Sequence, residues 1–155
     1  MSRRHRAREM ALQMLYQGDF GGTTPAEIFA GFEPQEHSRE GSASRADVAR
    51  EHEEAEIFAH ARGLVDGTIE HLEEVDGMIS SQADNWRLER MPGVDRNILR
   101  LAVYEFLYQI DVPKLVVIDE AIELAKRFGA ENSSSFVNGL LDGLLKNHSF
   151  PGTVT

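Results

Sequence analysis

PGVDRNILRLAVYEFLYQI, residues 92–110, is the most apolar stretch of the chain, and the architecture follows from it. Ile98, Leu99, Leu101, Ala102, Val103, Phe106 and Leu107 go nearly all the way round a helix. A helix that is apolar on every side must be covered by neighbours on every side. The stretch therefore predicts a central, buried helix with other elements packed around it. DVP at 111–113 breaks it, because proline cannot continue a helix.

Helical signals continue in both directions. Downstream, residues 114–128 put Val117, Ile118, Ala121, Leu124, Ala125 and Phe128 on one face, with Asp119, Glu120, Glu123, Lys126 and Arg127 on the other. Gly129 is the expected stop, and Asn132 is expected to cap a last helix running through Phe136, Val137, Leu140, Leu141, Leu144 and Leu145. Upstream, a third helix starts near Asp47, with Ile57, Ala61, Leu64, Val65 and Thr68 inside, and a fourth covers roughly 72–86. In TTPAEIF, Thr24 is the expected N-cap, Pro25 takes the first helical position, and Glu27 completes a capping box. The polar residues 33–46 read as a loop.

Residues 3–17 form the first helix. Ala7, Met10, Ala11, Met14 and Leu15 share a face, while Leu12 and Tyr16 lie well round from it, so this helix is apolar on two sides. Gly18, Gly21 and Gly22 end it. No segment alternates as a strand, and no repeat is visible at solenoid spacing. The expected class is all-α, a bundle of about seven helices in one domain over 1–150 with a tail at 151–155.

A chain of 155 residues can bury one core without crosslinks. It has no cysteine, which excludes a disulfide framework, a thiolate metal site and a cysteine nucleophile. No apolar run is long enough to span a bilayer, and no signal peptide is evident, so a cytoplasmic protein is expected. The net charge of −10 is unevenly placed. Residues 1–26 hold four arginines against two acids, residues 27–76 hold 14 acids against four bases, and residues 77–155 come to only −2. An acidic chain thus carries one basic island at its N-terminus.

Catalytic patterns are scarce. Neither glycine-rich phosphate loop occurs, nor does H-E-x-x-H. His52, Glu56 and His60 share a helix face at four-residue spacing, but a solvated face of an acidic helix accounts for them better than a metal site. Pairs such as Asp119 and Glu123 read as the wet side of an amphipathic helix. Ser133, Ser134 and Ser135 sit where serines cap, with no base beside them in sequence. The reading is a non-enzymatic protein without cofactor or metal.

Arg3, Arg4, Arg6 and Arg8 are the exception to the acidic rule. Cations at a helix N-terminus oppose the helix dipole, so four together point to an anionic partner, and nucleic-acid phosphate is the natural one. Tyr16, off the main apolar stripe, and Phe136, at the edge of its own, are candidates for stacking unpaired bases. The competing reading makes the arginines a solubilising tail and both aromatics core residues.

RRHRAREMALQMLYQ, NWRLERMPGVDRNILRLAVYEFLY and VPKLVVIDEAIELAKRFGAENSSSFVNGLLDGLL, in that order, resemble the successive signatures of the NusB family. DEAIELAKRFG followed by FVNGLLD is the most specific part, while 33–56 departs, being longer and more polar than the family pattern. The resemblance implies two packed helical sub-bundles sharing the first helix. It implies an RNA-binding transcription antitermination factor that binds single-stranded boxA RNA of ribosomal RNA transcripts together with NusE, a small-subunit ribosomal protein, and joins other Nus factors on RNA polymerase. Carried onto this chain, the RNA-binding set is Arg3, Arg4, Arg6, Arg8, Tyr16, Asn132 and Phe136, and the NusE-facing pair is Glu89 and Asp95. Asn132 stands where some members have an acid, which removes a repulsion toward phosphate. Ser134 and Ser135 stand where some have basic side chains, which leaves fewer cationic contacts at that end. A methyltransferase carrying a similar domain would need a separate nucleotide-binding domain, for which 155 residues leave no room. Self-association through the bundle, hiding the arginines in a homodimer, is the remaining alternative.

Overall fold

The structure, a computed structural model, describes residues 2–19, 21–34, 44–84 and 86–155. Seven α-helices and one short 3-10 turn are present, and no strand occurs among the described residues. The helices are α1 (Arg3–Asp19), α2 (Pro25–Phe32), α3 (Arg45–Glu70), α4 (Leu72–Gln82), α5 (Gly93–Tyr108), α6 (Lys114–Phe128) and α7 (Ser133–Asn147), with the 3-10 turn at Leu88–Arg90. The all-α class with seven helices is what the periodicities predict. The chain divides into two compact units, 1–63 and 64–155, so the division falls within α3.

In the first unit, α1 packs on α2. The buried residues of α1 are Ala7, Arg8, Ala11, Leu12, Met14 and Leu15. Leu12 is therefore inside although it lies off the main stripe, and Tyr16 is outside at 38% exposure. Gly21 and Gly22 take φ of +70° and +78°, a conformation that glycine adopts without strain, and this turns the chain toward α2. Thr24 accepts from the Glu27 amide at 3.2 Å, the expected N-cap. Of the polar stretch 33–46, residues 35–43 lie outside the described residues. Ser44 already caps α3, accepting from the Asp47 amide at 3.1 Å and donating to the Asp47 carboxylate at 2.6 Å.

In the second unit, α5 packs against α4, α6 and α7, as its all-round apolar character requires. Ile98, Leu99, Leu101, Val103 and Phe106 are fully buried, each contributing about 1.5–3 kcal/mol by leaving water. Two of the polar groups entering this core are held by side-chain hydrogen bonds. Arg100 makes a bidentate pair with Asp76 at 2.9 and 3.0 Å, and Asn97 Nδ2 donates to the Gly93 carbonyl at 2.8 Å.

One boundary differs from expectation, and two expected helix ends are made differently. Helix α4 stops at Gln82 rather than near 86, where Ala83 leaves helical geometry and its carbonyl takes the Trp86 amide at 3.2 Å. Gly129 ends α6 in an extended rather than a left-handed conformation. Its lack of a Cβ serves close approach, since a Cβ there would fall 2.6 Å from Ser133 Oγ and 2.7 Å from the Ala125 carbonyl. Asn132 holds the cap position of α7, but its side chain makes no cap hydrogen bond. Residues 151–155 do more than trail: the carbonyls of Thr153 and Val154 accept from the Lys114 and Leu115 amides at 3.0 and 2.8 Å, satisfying donors at the start of α6.

Candidate nucleic-acid interface

The first unit presents the arginine motif. Arg3, Arg4 and Arg6 are exposed on the first turn of α1. Arg3 and Arg4 line a small cleft of about 230 Å³ with Glu56, Ile57 and His60. Two of the arginines already face acids on α3. Arg3 Nη1 donates to Glu56 Oε2 at 2.8 Å, Arg3 Nε lies 3.5 Å from Glu53, and Arg6 Nη1 lies 3.9 Å from Glu53. Exposed pairs of this kind are weak and exchange readily for another anion. Tyr16 lies ten residues beyond Arg6 on the same helix, roughly 15 Å along its axis.

Arg8 differs from its neighbours. It is 3% exposed and has partners within the chain. A guanidinium in that position is at odds with a phosphate contact, and the reason is positional. Residue 8 follows Ala7 and precedes Ala11 on the face that α1 buries, which side-chain charge alone does not reveal. The histidine pattern on α3 is likewise absorbed locally: His52 Nε2 lies 3.0 Å from Glu56 Oε1, and no metal-binding group of three side chains occurs among the described residues.

The second unit holds a cleft of about 200 Å³ lined by Trp86, Met91, Pro92, Asp95, Asn132 and Phe136, with Arg90 beside them. Trp86 and Phe136 meet edge to face, with centroids 6.0 Å apart and planes at 66°. Phe136 is half-buried and Asn132 exposed, while Trp86 is 54% exposed. Trp86 and Arg90 also line a larger open groove of about 850 Å³, with Asp76, Arg87, Glu89 and Arg100. Arg96 fixes the turn between these surfaces, as its Nη1 donates to the carbonyls of Leu88 and Met91 at 3.1 and 3.2 Å.

Glu89 is exposed on that groove, as a partner contact requires. Asp95 is not. It is 4% exposed and accepts from Ser133 Oγ at 2.7 Å, and the same hydroxyl accepts from the Ala130 amide at 2.9 Å. Its carboxylate ties the start of α5 to the loop before α7 and is recessed in the wall of the small cleft, so little of it is open to the surface of a protein partner. On the first turn of α5 Asp95 faces inward while Val94 and Arg96 stay half-buried. Ser134 and Ser135 lie beside this tie, half-buried and exposed respectively.

Sequence reasoning missed Trp86, Arg90 and the Arg96 clamp. The signal was in WRLER at 86–90, where the only tryptophan of the chain stands next to Arg87 and four residues before Arg90 in a mostly polar segment.

Fold and surfaces define an all-helical class with an exposed arginine-rich helix start in one unit and an aromatic cleft beside a groove of mixed charge in the other. The NusB family model matches residues 5–146. The transcription antitermination protein NusB of Desulforamulus reducens is 44% identical over 151 residues, covering 93% of this chain and 90% of that one. The solved NusB of T. maritima superimposes with a TM-score of 0.76 at 36% identity, over 94% of this chain and 92% of the other. A structure of antitermination factors NusB and NusE in complex with dsRNA matches with a TM-score of 0.73 at 28% identity, over 96% and 99%. The chain belongs to the NusB family. As a member it is a transcription antitermination factor and not an enzyme. No helix among the described residues is long and apolar enough to cross a membrane.

Proposed function

We propose that the chain is an RNA-binding antitermination adaptor that reads a boxA-type single-stranded element of ribosomal RNA transcripts together with NusE. Through that complex it joins other Nus factors on RNA polymerase, and this work on nascent transcripts is cytoplasmic. The observation that carries the reading is the exposed cluster Arg3, Arg4 and Arg6 in a chain of net charge −10. Family membership and the likeness to the NusB–NusE–dsRNA assembly support it. Arg3, Arg4 and Arg6 contact phosphate, Tyr16 and Phe136 stack bases, and the neutral Asn132 admits the backbone without repulsion. Arg8 and Asp95 act from inside, holding α1 and the loop before α7. Glu89 offers an acidic contact to NusE, which as a ribosomal protein is expected to be basic.

The test is fluorescence anisotropy of a labelled boxA-type RNA, single-stranded and annealed, against a scrambled strand, with and without NusE, at several salt concentrations. Selective binding to the single strand, strengthened by NusE, is expected. Replacing Arg3, Arg4 and Arg6 with alanine should flatten the slope of log affinity against log salt by about 2, at roughly 0.7 per phosphate contact. An unchanged slope removes these arginines from the interface. Equal weak binding to both sequences rejects the boxA reading, and a concentration-dependent dimer that binds no RNA would replace it with self-association.

A further inference from the structure

The cleft at Trp86 has a chemistry that phosphate-reading arginines do not need. Its volume of about 200 Å³ is below the 300–1,000 Å³ of ordinary small-molecule sites, so it suits one planar ring system rather than a larger ligand. Its walls are aromatic and apolar: Trp86, Phe136, Met91 and Pro92. Trp86 and Phe136 meet edge to face, and Trp86 remains 54% exposed as a residue. Exposed aromatic faces of this kind stack unpaired bases. One lining residue is neither aromatic nor apolar and is not at the surface. Asp95 is 4% exposed, and the Ser133 hydroxyl that donates to its Oδ1 at 2.7 Å holds the carboxylate in place. That bond uses one of about four acceptor sites of an ionised carboxylate, which can only accept.

We propose that this cleft is a guanine pocket, in which an unpaired guanine stacks on Trp86 and turns its Watson–Crick edge to Asp95. The inference rests on the RNA-binding reading above and adds base identity to it. Among the four RNA bases only guanine sets two N–H donors, N1–H and N2–H, side by side on that edge. Cytosine and adenine offer one amino group next to a ring-nitrogen lone pair. Uracil offers one N–H between two carbonyl oxygens. A fixed carboxylate repels the lone pairs of these three and matches the paired donors of guanine. The exposed Asn132 amide can donate to guanine O6, and Arg90 beside the cleft can meet the phosphate of the same nucleotide. Aromatic faces accept any base, so Asp95 is the specificity-determining residue and Trp86 the platform.

The test uses the full chain and a single-stranded boxA-type RNA in which each guanine is replaced in turn by inosine, which lacks only the N2 amino group. Affinity is read by anisotropy, and Trp86, the only tryptophan, gives a local fluorescence signal. At one position inosine should weaken binding about tenfold, within the range of a good base contact, and should reduce the change in tryptophan emission. In Asp95→Asn, with folding checked by circular dichroism, that inosine penalty should shrink to less than twofold. Trp86→Ala should weaken binding roughly tenfold or more, and Trp86→Phe should restore most of it. If Asp95→Asn does not fold, the inosine scan on the unaltered chain together with the two Trp86 variants decides. The inference is overturned if arginine-dependent binding is intact but no guanine is sensitive, or if the folded Asp95→Asn variant keeps the full inosine penalty of the unaltered chain. Loss of all RNA binding by the unaltered chain overturns the RNA reading itself, a distinct outcome.

Discussion

Phe136 and Lys114 show how single side chains carry opposite kinds of consequence. Phe136 is half-buried and braces Trp86, so if Phe136 stacks a base as proposed, Phe136→Ala removes both a stacking face and a support. RNA affinity should fall by about 1–3 kcal/mol, while the melting temperature falls only modestly. A large loss of thermal stability with unchanged affinity of the folded protein would make it a core residue. Lys114 is 1% exposed, and its Nζ makes no hydrogen bond among the described residues. Burial pushes its pKa below the ordinary lysine value, only partly opposed by the Glu105 carboxylate. The unfolded chain therefore binds this proton more readily than the folded one, so stability should rise with pH as it climbs through the lowered value toward the ordinary 10.5. Lys114→Met should stabilise the protein at pH 7 by about 1–3 kcal/mol, by removing an unsatisfied buried group, and should flatten that rise. Thermal melts of both proteins across that pH range check the sign.

At the scale of elements, the acidic middle of the chain acquires a specific role. Glu53 and Glu56 of α3 hold Arg3 and Arg6 of α1 in exposed pairs, so on the proposed function an RNA phosphate would have to displace carboxylates to reach the arginines. The double change Glu53→Gln and Glu56→Gln should strengthen RNA binding a few-fold at low salt, with the gain fading as salt screens the pairs. Unchanged affinity at low salt would show that α3 does not compete. The last residues are likewise part of an element's stability. Removing 153–155 leaves two α6 amides without their acceptors, which should lower stability by about 1–3 kcal/mol in a denaturant titration. Much of this level was legible in advance. Helix α5 is buried all round, α6 keeps one wet face, and Thr24 caps α2, because periodicity and capping chemistry are local. The early end of α4 and the docked tail were not legible, because both depend on hydrogen bonds to residues chosen by the fold.

At the scale of the whole molecule, charge sorts the surfaces. The first 26 residues are net positive, and the exposed Glu89 lies on a groove of the second unit. If Glu89 meets a basic protein, Glu89→Lys should weaken NusE association several-fold, leaving helicity and melting temperature unchanged, since the side chain is exposed. Normal association in a two-protein titration would move the interface elsewhere. Residue pattern alone specifies the helix count, the central position of α5, the basic island and the family, because each is written in local spacing or residue identity. Packing then selects which members of those patterns are available. Arg8 and Asp95 are withdrawn into the interior, while Trp86 is brought beside Phe136, 50 positions away in the chain. Spacing along a helix marks its faces, but which polar members of a face are taken inside, and which distant residues lie side by side, is decided by how the helices pack around one another.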